Sequence, residues 1–183
     1  EPPSRRELEN KIDVWDNQYG RGGSINGDVN GNHFKRELLR MSDPNYPNLL
    51  KSIQNSPFVL YGKGEIYSND TYHHSVAVVG TRKVTQYGRD VTEMITQELV
   101  QAGCVIVSGL AMGVDAVAHK TAIENNGKTI AVLGSGVDLC YPSSNQSLYN
   151  SIIEGHGAIV SEYPLGEPPS KGSFPSRNRI VAG

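Results

Sequence analysis

The stretch CVIVSGLAMGVDAVAHKTAIENNGKTIAVLG, residues 104–134, holds two unbroken apolar runs, CVIVSG and TIAVLG, with a helix-length segment between them. A strand with one wet face alternates apolar and polar residues. A short apolar run without alternation instead marks a strand buried on both faces, as in a parallel sheet covered by helices. Between the runs Val114, Val117, Ala118, Ala122 and Ile123 recur at helical spacing, and the NNG at 125–127 stops the helix. The unit is strand, helix, strand, and each strand ends in glycine.

The same form extends both ways. VAVVG at 76–80 and AIVSEY at 158–163 are further unbroken runs. Val91, Met94, Ile95, Leu99 and Ala102 mark a helix closed by Gly103, and Leu148, Ile152 and Ile153 mark another ended by Gly157. Strand and helix alternate at intervals of about 25 to 30 residues, which predicts an α/β fold with a doubly wound, mostly parallel sheet and helices on both faces.

Upstream the character changes. Residues 1 to 33 are rich in glycine, asparagine and charge, with Trp15 as the main possible anchor, and read as a linker or mobile arm. FKRELLRM suggests a short helix, DPNYP breaks it, NLLKSIQ gives another helical turn, and PFVLYGKG reads as a short strand. The expected division is an arm over 1–43 and one domain over 44–183.

At 183 residues the chain suits one domain of ordinary size plus an appendage. Its formal charge of −2 gives no overall positive field, so any polyanion site must be local. Cys104 and Cys140 sit in apolar sequence without metal-ligand spacing, which fits a reducing compartment; no metal and no cofactor are expected. No stretch approaches a membrane span and the charged start does not suit a signal peptide, so a cytoplasmic protein without a membrane partner is expected. The chain starts without methionine and stops just as an apolar run begins, and is expected to be a fragment.

In such a sheet, ligands bind beyond the carboxyl ends of the strands. There the sequence places Gly80, Thr81, Arg82 and Lys83; then Ser108 and Gly109; then Gly134 and Gly136; and, after the fourth strand, Glu162. Small residues open the backbone and helix N-termini supply N–H groups, a setting for an anion. Plain turns and a solvated loop explain the same residues individually. No GxGxxG or GxxxxGK[ST] is present, which disfavours the standard nucleotide sites.

Asp115 and His119 share a helical face and suggest either an acid/base pair or a structural lock, the latter favoured. Asp138 and Glu162 are candidate paired carboxylates, but no nucleophile accompanies them. The run KGSFPSRNRI at 171–180 begins inside the loop PLGEPPSKGSFP, too rich in proline and glycine for helix or strand and so expected on the surface at the same sheet edge; Lys171 and Phe174 come from that loop, while Arg177, Asn178 and Arg179 begin the next element. Its Lys171, Phe174, Arg177, Asn178 and Arg179 combine cations that track phosphates with a ring that stacks a base, the parts of a single-strand binding surface.

The segments VGTRKVTQYG, IVSGLAMGVDAVAHKTAI, TIAVLGSGVDLCYPSSNQSLYNSI, IVSEYPLG and FPSRNRIVAG resemble, in collinear order, the motifs of the DNA-processing DprA/Smf family. The resemblance covers about residues 44–183. It implies an extended Rossmann-like domain that binds single-stranded DNA and is not an enzyme, with a role in loading the recombinase RecA during natural transformation. By the same resemblance Gly80, Thr81 and Arg82 line a positive pocket with Lys171, Phe174, Arg177, Asn178 and Arg179. Ser108, Gly109, Gly134 and Gly136 would form its floor, and Glu162 would orient an arginine. RecA contact and a homodimer are expected of the full-length protein, because the family's surfaces for both lie later in the domain. The glycine-rich arm does not resemble the helical bundle often found before that domain.

The alternative from another class is a nucleoside monophosphate phosphoribohydrolase with a similar pocket. Those enzymes carry PGGxGTxxE; the nearest approach here, LGSGVD, lacks the glutamate.

Overall fold

The computed structural model describes residues 6, 10, 25–26, 35–66 and 69–183. In chain order its elements are β1 (Ile25–Asn26), β2 (Lys35–Arg40), α1 (Asn48–Lys51), β3 (Val59–Gly64), α2 (Asn69–Tyr72), β4 (Ser75–Ala77) and α3 (Gln86–Gln101). They continue with β5 (Val105–Ser108), α4 (Val114–Glu124), β6 (Thr129–Leu133), α5 (Gln146–Ser151), β7 (Gly157–Ser161) and α6 (Ser173–Ala182). A wide turn, Ile152–His156, extends α5 to β7.

The strands form one sheet in the order β1-β2-β3-β7-β6-β5-β4. From β4 to β7 the pairs are parallel, while β3 joins β7, β2 joins β3 and β1 joins β2 antiparallel. Successive residues of a buried strand serve opposite faces. In β6, Ile130 and Val132 pack with Leu50 of α1 and Ile180 and Val181 of α6. The alternate Ala131 and Leu133 pack with Tyr149, Ile152 and Ile153 around α5. Farther along, Ile106 meets Ala118 and Ala122 of α4 and Leu99 of α3. Helices therefore cover both faces, and the unbroken apolar runs have their reason.

From β4 to β7 each strand lies beside the one before it, so the connecting helices α3, α4 and α5 share one face, as right-handed crossovers advancing in one direction require. The next helix, α6, takes the opposite face, against β6. Such a change of side places a crevice at the carboxyl edge of the strands.

Three expectations change. FKRELLRM is not a helix: residues 35–40 form β2. Its Lys, Arg, Glu and Leu are good helix formers, but Leu38 and Leu39 point into the cores on opposite faces and the strand pairs with β3 over five positions. The sheet thus takes in residues ahead of 44; the rest of the expected arm lies largely outside the described residues. VAVVG is not buried throughout, because β4 lies at the end of the strand order and Val79 is 60% exposed. Phe174 belongs to the first turn of α6 and not to the loop before it.

Candidate functional site

A hollow of about 450 Å³ opens at the carboxyl edge of the sheet, walled by Gly80, Arg82, Gly109, Phe174, Arg177 and Asn178. One wall is the loop leaving β4. There the Thr81 hydroxyl accepts the Lys83 N–H at 3.1 Å, and the Thr81 carbonyl accepts the Val114 N–H at 3.1 Å. Gly113 permits that approach: its φ is +82°, and a Cβ there would stand 2.1 Å from the Thr81 oxygen. The loop is thereby fastened to the start of α4 through backbone atoms, leaving the Arg82 side chain exposed.

The opposite wall is the start of α6. Ser170 and Ser173 exchange hydrogen bonds across the turn that leads into it, the Ser170 N–H donating to Ser173 Oγ at 3.0 Å and the Ser173 N–H to Ser170 Oγ at 3.1 Å. The next residue is Phe174. Its ring lies 5.7 Å from that of Tyr141, tilted by 35°, a spacing at which aromatic pairs attract. Over the same ring sits the Arg82 guanidinium, 5.2 Å from the centroid. The residues following β4 and those following β7 thus converge on one ring.

The arginines of the RNR run have separate fates. Arg177 is 6% exposed. It donates from Nη1 to the carbonyl oxygens of Gly109, at 2.7 Å, and Val132, and from Nε to Asn178 Oδ1 at 3.2 Å. Burial lowers its pKa, Asp115 opposes that shift and Arg82 adds to it; it still carries its charge. Gly109 allows this placement, since a Cβ would fall 2.3 Å from Arg177 Nη1.

Arg179 forms a bidentate pair from Nη2 to Glu162, at 2.6 and 2.7 Å, and donates to the carbonyls of Asn55 and Ser176 at 2.8 Å. Arg177 and Arg179, both expected to grip phosphate, thus have protein partners and tie α6 to the rest of the domain. Arg82 and Lys171 are exposed, the latter in the turn before α6. Asn178, also exposed, lines the hollow, and Lys83 lines a neighbouring groove.

The expected floor is only partly present. Gly80 and Gly109 line the hollow. Ser108 is fully buried, its hydroxyl donating to the Val78 carbonyl at 2.6 Å. Gly134 lies beneath Ser173, and Gly136 is packed against Pro164 and Gly166. These three belong to the joints around the hollow, not to its lining.

The carboxylates are committed as well. Asp115 accepts the Gly109 N–H at 3.1 Å, and Asp138 accepts the Gly166 N–H with both oxygens, at 3.0 and 3.1 Å. His119 is fully buried, its Nδ1 2.6 Å from Thr129 Oγ1. Because the Thr129 hydroxyl donates to the Ile106 carbonyl at 2.8 Å, Nδ1 carries the proton that joins ring to hydroxyl. Burial, reinforced by Arg177, lowers the His119 pKa to about 3. Asp115 and His119 each lock a different strand, which is the structural reading of the pair.

Tyr141 is the residue that sequence reasoning missed. Its signal was available: an aromatic just after the third parallel strand, at the edge where Phe174 was placed.

A family profile for DNA recombination-mediator protein A matches residues 37–183. Protein Smf of Synechocystis sp. is 47% identical over 149 residues, 80% of this chain and 37% of its own length. The DNA processing protein DprA of Streptococcus pneumoniae is 44% identical over 156 residues, 82% of this chain and 54% of its own length. The X-ray structure of the S. pneumoniae DprA aligns with a TM-score of 0.72 and 41% identity, over 79% of this chain and 50% of that one. A structure of DNA processing protein A from Helicobacter pylori, described for its single-stranded DNA binding mode, aligns with a TM-score of 0.70 and 34% identity, over 81% and 65%. The chain spans between 37% and 54% of the length of these two curated relatives.

Proposed function

The chain belongs to the DNA recombination-mediator protein A family, and from that premise we propose that it binds single-stranded DNA in the hollow between Arg82 and Phe174 and catalyses no reaction on it. The observation that carries this reading is the convergence of an exposed guanidinium, the Phe174 ring and open backbone in one cleft, with Tyr141 packed beside that ring. The single-strand binding ascribed to the H. pylori relative supports it.

The magnitudes suggest how the strand enters. An exposed cation over a phenylalanine ring is worth roughly 0.5–1 kcal/mol, whereas a stacked base is worth roughly 1–3 kcal/mol. A base therefore takes the guanidinium's place on Phe174, and Arg82 turns its N–H edge to the phosphate. Lys171, exposed in the turn before α6, supplies a second cation for the backbone. Arg177 and Arg179 hold α6, and so Phe174, in position.

Absence of catalysis fits the chemistry of the site: Asp115, Asp138 and Glu162 already accept hydrogen bonds, and His119 is sealed in its neutral form. In the full-length protein this binding would serve RecA loading during natural transformation, with a homodimer as the working unit.

Gel-shift titration of single- against double-stranded oligonucleotides tests the reading, with Arg82→Ala and Phe174→Ala as comparisons. Preference for the single strand, weakened in both variants, is expected; equal binding by the variants moves the site elsewhere. Release of adenine from adenosine monophosphate would favour the phosphoribohydrolase instead.

A further inference from the structure

Behind Arg82 lies a second depression, a groove of about 650 Å³ between the start of α3 and the outer sides of α4 and α5. Arg82 lines both it and the hollow, so the two spaces share a wall. Lys83, Arg89 and Lys120 add three more cations, all exposed. The one acid lining it is Glu124, which pairs with Lys120 at 3.5 Å. In a chain of net charge −2 this is a marked local excess of positive charge. The remaining lining is apolar side chains and small polar groups, among them Ser144, Ser147 and Ser151, with no aromatic ring.

Stacking needs a π-face, while phosphate contacts need only cations and hydroxyls. The hollow has the first and the groove has only the second. We infer that the groove is a phosphate-tracking extension of the site: a single strand whose base stacks at Phe174 crosses Arg82 and runs along Lys83, Arg89 and Lys120 by its backbone alone. This rests on the single-strand reading of the hollow and adds to it a path, a minimum length and an indifference to base identity.

The Lys120–Glu124 pair is a weak competitor. Both side chains are more than half exposed, where such pairs contribute little. A phosphate therefore displaces Glu124, which acts as a brake on the groove.

The experiment measures affinity for a short oligonucleotide that fills only the hollow, for a longer one, and for a longer one whose extension carries abasic sites. Arg89→Ala combined with Lys120→Ala is expected to weaken the longer strand by on the order of tenfold and to make its salt slope shallower by about 1.4, at roughly 0.7 per lost contact. Short-strand affinity stays unchanged, the abasic extension behaves like the natural one, and Glu124→Gln strengthens long-strand binding only. Long-strand affinity that ignores Arg89 and Lys120, or that requires bases in the extension, overturns the groove and leaves the hollow intact. Short-strand binding that ignores Phe174 overturns the hollow and with it the continuous path.

Discussion

The Arg82 guanidinium rests on the Phe174 ring, 5.2 Å from its centroid. The two residues come from opposite ends of the parallel sheet, one after β4 and one after β7, and α6 crosses to the other face to bring them together. The roles proposed for them toward a strand differ, one electrostatic and one stacking, and can be separated by salt.

Arg82→Ala is expected to make the plot of log affinity against log salt shallower by about 0.7. Phe174→Ala is expected to lower affinity by roughly 1–3 kcal/mol, on the order of tenfold to a hundredfold, with the slope unchanged. Fluorescence anisotropy across a salt series reads both quantities.

Arg177 sits in the same cluster but acts on the fold. Arg177→Met leaves the carbonyls of Gly109 and Val132 without this donor and is expected to cost about 2–4 kcal/mol in urea unfolding. Where the variant is folded, its salt slope should match the parent's. A slope as shallow as that of Arg82→Ala would mean that Arg177 leaves its carbonyls to meet phosphate.

Glu162→Gln weakens the bidentate hold on Arg179, whose partner carboxylate is 6% exposed. A loss of about 2 kcal/mol in stability is expected, with short-strand affinity little changed while the protein remains folded. Urea midpoints and anisotropy on the same preparation separate the two effects.

His119 gives stability a pH dependence. Its pKa is about 3 in the folded chain and near 6.5 ordinarily, so below the ordinary value the unfolded chain binds the extra proton. This histidine's contribution is whole above about pH 6.5 and is lost as pH falls toward 3, at up to about 1.4 kcal/mol per pH unit. His119→Gln is expected to remove that part of the slope when urea midpoints are compared between about pH 4 and 7. An unchanged slope would assign it to other groups.

The sequence shows the parallel sheet clearly because Val105 to Ser108 and Thr129 to Leu133 are buried on two faces and so lack alternation. Residues 35–40 escape the same reading, since their composition suits a helix and only pairing with β3 makes them a strand. At the site, the glycines and Phe174 are legible as residues of the carboxyl edge. The fates of the cations are not. Lys171, Arg177 and Arg179 look alike in KGSFPSRNRI, but the latter two meet Gly109, Val132, Asn55 and Glu162, partners whose positions only the folded chain sets. Tyr141 is legible as an aromatic after the third parallel strand, but its pairing with Phe174 is not, because that ring comes from another element.

Photo-crosslinking reports most directly whether a base sits on Phe174. A single-stranded oligonucleotide carrying 5-iodouracil, irradiated with the protein and mapped by mass spectrometry of the digested peptides, is expected to attach at Phe174 or Tyr141 and to lose that attachment when excess unlabelled single strand is added. Attachment confined to peptides away from both rings would contradict the account.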